Sequence, residues 1–330
     1  MRTLQCIATT VCISSALFVT AAQQAGSPQQ AVAPTTAAAK TFTQQLRNTV
    51  GFLEVDYLDH SELKSIAGTC FFVYLEDKRL GENQGFVYLV TNRHMADPGV
   101  EKGLHYPVER VLLRLNLKAT QGETGSLTVP VPLGPTTHWY FPSDDATDLA
   151  LLQATPNIDV FDYQTIPTSL FATTDQIREL AVDAGDPVVF AGFFYQFSGQ
   201  KRIEPIVRQG VLAMMPGEEL KTTLQKPGTL YLADAHAFHG NSGSPLFVSV
   251  GGIRHGTFRG DQYLLIGVIS GYYPEGESFS VPAATVLTGE VHDNSGIATV
   301  VPAEELLKLL GSPELQSARD AQVSTQTKHP

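Results

Sequence analysis

Short runs of β-forming residues, broken by turns, fill this chain from about residue 50 to residue 301. Such runs are typical of antiparallel strands, and here they fall into two blocks. Helix signals occur around 175–181 and at 302–310, where Pro302 starts the run and Gly311 follows it. We predict an all-β fold of two packed antiparallel β-barrels with a short C-terminal helix. The predicted strands are 50–57, 68–75, 85–91, 111–117, 127–131, 148–153, 187–194, 206–214, 229–232, 244–250, 264–270 and 298–301.

The composition is that of a globular chain with enough apolar material for a sizeable core. Of its 330 residues, 43% are hydrophobic and 17% are charged. The net charge of -11 argues against nucleic acid as a partner, because phosphate binding requires a concentrated Lys/Arg face. The excess of acidic residues fits solubility.

The first residues have the pattern of a secretion signal. Arg2 precedes a moderately apolar run at 6–19, and the small residues Thr-Ala-Ala follow at 20–22. We expect a signal peptide at 1–22 whose cleavage leaves a secreted or periplasmic protein. An uncleaved membrane anchor is the alternative. Polar residues dilute the run and little positive charge flanks it, so no stable membrane insertion is expected.

Cysteine usage excludes an intramolecular disulfide in the mature chain. Cys6 and Cys12 lie inside the predicted signal peptide, which leaves Cys70 alone. A domain of this size can be stable on its apolar core without cross-links. Cys70 lies in a run of apolar residues, so we interpret it as a small buried side chain and not as a nucleophile.

The rest of the chain divides into four segments. Residues 23–45 are rich in Gln, Ala and Pro, which predicts a flexible spacer. The N-terminal barrel is predicted at 46–172 and the C-terminal barrel at 173–311. Residues 312–330 are interpreted as a polar tail.

Three motifs carry the candidate chemistry. The run Gly-Asn-Ser-Gly-Ser-Pro at 240–245 is a turn that would present Ser242. His94 closes Val-Thr-Asn-Arg-His, and Asp148 precedes the buried-type run Leu-Ala-Leu-Leu. Each motif alone also fits a bland role, as an ordinary turn, a surface histidine or the start of a strand. Together, in the order His, Asp, Ser, they predict a catalytic triad.

Each residue type meets a separate need of that chemistry. A serine hydroxyl is a poor nucleophile at neutral pH, so His94 would take its proton and later return it to the leaving amine. Asp148 would hold the imidazole tautomer and stabilise the imidazolium. The backbone N–H groups of Gly240 and Ser242 would form an oxyanion hole, where one donor can lower the barrier by about 3 kcal/mol.

These motifs resemble those of trypsin-like serine peptidases, and they are most similar to the HtrA/Deg branch. The runs Thr-Asn-Arg-His, Asp-Leu-Ala-Leu and Asp-Ala-His-Ala-Phe-His-Gly-Asn-Ser-Gly-Ser-Pro-Leu carry the resemblance, which covers roughly residues 46–311. It implies a chymotrypsin-like double barrel with the site in the cleft between the barrels, and protein or peptide substrates. HtrA relatives are often trimeric, which leaves a homo-oligomer open.

The chain also departs from the HtrA/Deg pattern. Ser244 replaces the second glycine of the serine motif, as it does in glutamyl endopeptidases. After Leu310 we expect no PDZ domain, because only a polar stretch follows.

The resemblance also suggests substrate-binding residues. Ser270, Gly271 and Tyr272 would form the edge that pairs with the substrate backbone. His236 would lie near the specificity pocket, although its position slightly favours an ordinary loop histidine. No charge partner for a pocket is evident, which favours small or medium apolar residues before the scissile bond.

Two functions follow from the sequence. The favoured one is an exported serine endopeptidase that works through an acyl-enzyme on Ser242, without a cofactor. The other is a catalytically latent or inactive peptidase fold that serves as a binding or scaffold protein. No metal site is expected, since His236 and His239 have no further ligands at suitable spacing.

Overall fold

Most of the chain lies in two β-structures joined by a shared apolar interface. The structure is a computed structural model that describes residues 18–19, 40–119, 124–281 and 287–327. The predicted signal peptide and spacer therefore lie largely outside the described residues. The helices are α1 (Phe42–Leu46), α2 (Arg93–Ala96), α3 (Thr174–Glu179), α4 (Ala303–Leu310) and α5 (Pro313–Thr327).

The strands confirm the all-β prediction. They are β1 (Phe18–Val19), β2 (Val50–Asp59), β3 (Glu62–Glu76), β4 (Gly85–Thr91), β5 (Val108–Asn116), β6 (Ser126–Pro130), β7 (Trp139–Tyr140), β8 (Ala150–Gln153), β9 (Thr155–Pro156), β10 (Ile166–Pro167), β11 (Pro187–Gly192), β12 (Ile206–Met214), β13 (Leu220–Lys221), β14 (Pro227–Gly228), β15 (Tyr231–Asp234), β16 (Pro245–Ser249), β17 (Gly252–Arg254), β18 (Thr257–Arg259), β19 (Tyr263–Val281) and β20 (Leu287–Pro302).

The first half is one antiparallel sheet in the order β6-β5-β2-β3-β4-β8-β7, with β10 added in parallel to β3. Alternation along these strands sends one set of side chains to a common core. Leu53, Phe72, Leu89, Leu113 and Val129 from five different strands meet in that core. Because one cluster collects side chains from so many strands, the sheet wraps around its own apolar face.

The second half is a closed barrel in the order β11-β12-β15-β20-β19-β16. Its interior holds apolar side chains such as Phe190, Leu212, Leu246 and Ile266. Closure removes free strand edges in the barrel itself. The pair β19 and β20 continues beyond it, because pairing persists from Gly267↔Pro302 out to Val281↔Leu287.

A third apolar cluster joins the two halves. It combines side chains of the first sheet, such as Phe71 and Tyr88, with Phe247 and Val268 of the barrel. Helix α1 contributes Leu46, and its first turn is fixed by a capping box in which Thr41 and Gln44 bond each other's backbone. Phe42 of the same helix stacks on Tyr263 with ring centroids 3.7 Å apart.

The end of the chain differs from the predicted polar tail. Residues 313–327 form helix α5, which packs back on the shared interface through the fully buried Leu315. The Arg319 guanidinium is also buried and donates to Tyr88 Oη at 3.2 Å. The prediction was wrong here because few apolar residues mark this helix, and its stability comes from docking and not from a continuous apolar stripe.

Cys70 is buried, as predicted. Burial raises the pKa of its thiol, because desolvation disfavours the thiolate. In the part of the chain that the structure describes, no helix has the length and apolarity needed to cross a membrane.

Candidate active site

His94 is positioned by the end of strand β4. The strand ends at Thr91, and Asn92 precedes the short helix α2 that carries His94. The Asn92 side chain is fully buried and donates from Nδ2 to the Asp148 carbonyl at 2.9 Å. This bond ties the start of α2 to the segment that carries Asp148, so the two residues approach each other from neighbouring strands.

Asp148 holds His94 through two hydrogen bonds. The His94 backbone N–H donates to Oδ1 at 3.0 Å, and the ring Nδ1 lies 2.7 Å from Oδ2. The Asp148 side chain is fully buried, whereas 12% of the His94 side chain is exposed. With Nδ1 as the donor, the Nε2 atom of the neutral ring is left as an acceptor.

The same contact sets the basicity of the ring. Burial of His94 lowers its pKa, but the negative charge of Asp148 and its hydrogen bond to Nδ1 outweigh that effect. The pKa of His94 therefore lies above its usual value. A more basic imidazole is a stronger proton acceptor once it is neutral.

Ser242 lies on a turn whose glycines are required by its geometry. Gly240 and Gly243 have φ values of +94° and +84°, which side chains rarely tolerate. A Cβ on Gly240 would lie 2.6 Å from the Phe193 carbonyl oxygen, and one on Gly243 would overlap the Thr69 carbonyl. The turn is thus packed so closely that only glycine fits at both positions.

Asn241 closes the turn from inside. Its side chain is fully buried, donates to the Phe193 carbonyl at 2.9 Å and accepts from the Phe238 N–H at 2.8 Å. A buried amide with donor and acceptor both satisfied fixes the local backbone. The motif residue between Gly240 and Ser242 is therefore structural.

Two backbone donors of the turn are left without an acceptor. Among the described residues, the N–H groups of Gly240 and Ser242 make no intramolecular hydrogen bond. The His239 carbonyl accepts from the Tyr195 N–H at 3.4 Å, so the trans peptide directs the Gly240 N–H to the opposite side. Such a pair of N–H groups beside Ser242 can receive an anionic oxygen.

The Ser242 hydroxyl has its partner on strand β19. Its Oγ donates to the Ser270 carbonyl at 3.4 Å, and within the described chain no hydrogen bond joins it to His94. The structure thus brings His94 to Asp148 but leaves Ser242 Oγ turned to another acceptor. Contacts between nucleophile and base are often loose in proteins without substrate.

Thr69 joins the turn to the first half and was missed by the sequence reasoning. Its backbone N–H donates to the Ser242 carbonyl at 2.9 Å, and its hydroxyl donates to the Gly240 carbonyl at 2.7 Å. The same hydroxyl accepts from the Phe193 N–H at 3.0 Å. A threonine in the middle of a strand carries no local signal of this role, since all its partners are distant in sequence.

Ser244, inside the same turn, has an unusual neighbour. Ser244 is fully buried, and its Oγ has no hydrogen-bond partner within the described structure. A Cβ on Gly192 would overlap that Oγ, so Gly192 provides the space in which the hydroxyl fits. The serine that replaces the second glycine of the motif is accommodated by a glycine on β11.

The predicted substrate-binding residues are distributed over two places. Ser270 is buried, and its hydroxyl faces the barrel and contacts Thr299 Oγ1 at 2.9 Å. The pairing of β19 with β20 shifts register between Ile269 and Gly271, so the Ser270 carbonyl is free to contact Ser242. Tyr272 continues this edge and contacts His239 Nε2 through its hydroxyl at 3.2 Å.

His236 lies apart from the hydrogen bonds of Ser242. Its backbone φ is +48°, its side chain is 68% exposed, and its ring packs against Gly296. Its nearest charged partner is Asp234, with Nδ1 and Oδ1 separated by 3.6 Å. Its assignment to a specificity pocket stays a prediction. Across the described residues no group of three or more His, Cys, Asp or Glu side chains is placed to hold a metal ion.

No protein-family model and no curated protein matches this sequence. Solved structures do match. A crystal structure of Deg5 aligns with a TM-score of 0.42 and 17% identity, over 81% of this chain and 88% of that chain. A structure of the HtrA-type protease AlgW with decapeptide gives a TM-score of 0.43 and 14% identity, over 84% of this chain and 66% of that chain.

A second AlgW structure with decapeptide gives a TM-score of 0.45 and 14% identity, over 82% of this chain and 64% of that chain. The chain thus spans just under two thirds of the AlgW chains. These are distant similarities in the path of the chain.

Proposed function

We propose that this protein is a serine endopeptidase that cleaves protein or peptide substrates through an acyl-enzyme on Ser242. One observation carries the proposal. The buried Asp148 carboxylate holds His94 by two hydrogen bonds, while the neighbouring turn presents Ser242 together with two unpaired N–H groups. A base with its orienting acid, a nucleophile and donors for an oxyanion form the set that acyl transfer requires.

The reaction assigns one role to each group. Ser242 Oγ first exchanges its hydrogen bond to Ser270 for one to His94 Nε2, which takes its proton as Oγ attacks the scissile carbonyl. The carbonyl oxygen becomes negative and is bound by the N–H groups of Gly240 and Ser242. His94 then gives the proton to the leaving amine, the C–N bond breaks, and water releases the acyl group by the same steps.

The substrate backbone would pair with the edge at Ser270, Gly271 and Tyr272. We propose small or medium apolar residues before the scissile bond, with His236 as a candidate pocket residue. We also propose an exported protein, on the pattern at 1–22. The acidic net charge supports protein substrates over nucleic acid.

A second function is favoured by one contact. Because Ser242 Oγ donates to the Ser270 carbonyl, the nucleophile is not activated in this arrangement. A catalytically latent or inactive peptidase fold that acts as a binding or scaffold protein would keep that contact. The two functions differ in whether Ser242 can react.

Labelling with a fluorophosphonate distinguishes them, because this reagent reacts with activated serines. Intact mass spectrometry of the wild-type protein should show one adduct, which Ser242→Ala should lose. Ser249→Ala, in strand β16 just beyond the turn, should retain the adduct. Absence of an adduct on folded wild-type protein would overturn the peptidase proposal and favour the latent one. If the wild-type protein is labelled, its digestion of a peptide library defines which residues it prefers around the scissile bond.

A further inference from the structure

Three large apolar side chains stay exposed around the turn that carries Ser242. Tyr195, Phe197 and Phe238 keep 67%, 54% and 39% of their surface accessible. We call this set the aromatic rim. Apolar side chains that stay in water beside a candidate active site are available to bind an apolar ligand group, because burying them is favourable.

The aromatic rim is held in place by specific contacts. Tyr195 and Phe197 lie on a tight hairpin in which the Phe197 N–H donates to the Phe194 carbonyl at 2.9 Å. The Arg208 guanidinium lies over the Phe238 ring, 4.9 Å from its centroid. Such a cation–π contact orients the ring while one face stays open to solvent. The Phe238 ring and the backbone that carries Tyr195 and Phe197 are therefore held in place without a ligand, which lowers the entropy cost of binding.

His239, the residue before the turn 240–245, lies between Tyr195 of the aromatic rim and the proposed substrate edge at Ser270, Gly271 and Tyr272. Its ring contacts Tyr272 of that edge, with ring centroids 5.7 Å apart, whereas its carbonyl accepts from the Tyr195 N–H at 3.4 Å. A substrate that crosses Ser242 with its acyl half on strand β19 therefore places its leaving half toward Tyr195.

A second contact places the hairpin on the side of the first sheet. Phe193, at the start of the hairpin, donates to Thr69 Oγ1 at 3.0 Å and packs edge to face on Phe52 at 5.4 Å. Thr69 belongs to the half that also carries His94, which must protonate the leaving amine. The leaving half of the substrate and the hairpin thus share one side of the cleft.

We propose that the aromatic rim binds the residues that follow the scissile bond and selects large apolar side chains among them. This inference rests on the proposed peptidase function and specifies its substrates further. Burial of a Phe or Leu side chain against the rim removes apolar surface of both partners from water. A glycine at the same substrate position has no side chain to bury and gains no such free energy.

Acyl transfer to added amines tests the leaving side alone. An acyl-enzyme formed from the nitrophenyl ester of acetyl-alanine can be captured by water or by a dipeptide amide. The ratio of aminolysis to hydrolysis then measures how well the amide binds on the leaving side. We expect Ala-Phe amide and Leu-Phe amide to be transferred about tenfold more efficiently than Ala-Gly amide, as partial burial of one aromatic side chain allows.

The double variant Tyr195→Ser, Phe197→Ser should reduce this preference to about twofold or less. The preference is a ratio of two amides measured with one protein after the nitrophenolate has left, so it does not depend on the rate at which the variant forms the acyl-enzyme. Fluorophosphonate labelling and ester hydrolysis are measured alongside to show that the variant still forms the acyl-enzyme. Phe258→Ser is the matched control, since Phe258 is 79% exposed on the separate hairpin of β17 and β18. It should keep the full preference for the aromatic amides.

Two results would overturn the inference. If wild type transfers the acyl group equally well to the Phe and Gly amides, with normal labelling and ester hydrolysis, the aromatic rim does not select the leaving side. The peptidase proposal would stay intact. A preference for the Phe amides that persists in the double variant would also show that the aromatic rim does not select the leaving side. If wild type shows neither labelling nor ester hydrolysis, the proposed function itself fails, and the inference fails with it.

Discussion

At the scale of single residues, Asp148 determines how basic His94 is. The carboxylate has no access to solvent, and both of its oxygens bond His94. It therefore favours the imidazolium and fixes the tautomer with Nε2 free. The rate should depend on the neutral ring, so the raised pKa of His94 places the acidic limb of activity above the pH at which an ordinary histidine titrates.

Replacement of Asp148 by Asn tests this dependence. We expect kcat/KM to fall by about 10⁴-fold, because the amide favours the wrong tautomer. The residual activity should have its acidic limb at lower pH, since the charge that raises the pKa of His94 is gone. The measurement is the pH profile of kcat/KM, with Asp145→Asn as control because that exposed carboxylate pairs with Lys226 instead. An unchanged limb in Asp148→Asn would contradict the assignment.

Ser244 offers a prediction about stability. Its buried hydroxyl has no hydrogen-bond partner in the described structure, and such a group costs free energy. Ser244→Ala should raise the free energy of unfolding by about 1 kcal/mol and leave fluorophosphonate labelling intact. Ser244→Thr should lower it, because the added methyl group enters the space beside Gly192. Urea denaturation of wild type, Ser244→Ala and Ser244→Thr measures these differences in the free energy of unfolding. A loss of stability in Ser244→Ala would contradict the prediction.

At the scale of elements, helix α5 is a polar segment that becomes helical by docking. Leu315 is fully buried and Arg319 is 6% exposed, and Gln322 forms a reciprocal pair of amide hydrogen bonds with Gln153 at 2.9 and 2.8 Å. Arg319 reaches Tyr88 on strand β4, the strand that leads to His94. The helix therefore stabilises the first sheet from outside.

Removal of residues 312–330 should destabilise the protein by at least about 3 kcal/mol. The estimate combines the lost burial of one leucine with the loss of the buried arginine's hydrogen bond. Removal of residues 328–330 alone is the control and should change nothing. Chemical denaturation of both truncated proteins gives the answer. Equal stability would mean that α5 contributes no net free energy.

The elements also show how far local sequence determines this fold. Strand β4 at Gly85–Thr91 and strand β12 at Ile206–Met214 have the predicted bounds, because β-type runs between turn residues are a local signal. The motifs around His94, Asp148 and Ser242 are equally local. Helix α5 and the hydrogen bonds of Thr69 escaped prediction, since each depends on partners far away in the sequence.

At the scale of the whole molecule, the candidate site belongs to both halves. His94 and Asp148 come from the first sheet and Ser242 from the second barrel, and Thr69 bridges them by three hydrogen bonds. The turn that carries Ser242 thus depends on a strand of the opposite half. Removing the Thr69 hydroxyl would leave the buried Gly240 carbonyl and Phe193 N–H without that partner.

Thr69→Val should therefore slow the reaction more than it harms the fold. We expect the rate of fluorophosphonate labelling to fall about tenfold or more, as the turn loses its support, with a stability loss of about 1–3 kcal/mol. Thr69→Ser keeps the hydroxyl and should retain most of the rate. A time course of fluorophosphonate labelling measures the rate, and thermal unfolding measures the loss of stability. A normal labelling rate in Thr69→Val would show that the turn holds its shape without the first half.

The bridge from Thr69 to Gly240 also governs when the site can come into existence. It joins residues 171 positions apart, so the chain must close a very long loop before this contact forms. Contacts of such separation form slowly compared with hairpins and single barrels. A chain still emerging from the ribosome, with only its first half made, has His94 and Asp148 but no nucleophile. The proposed site can therefore form only after the second half of the chain has been made and has folded against the first.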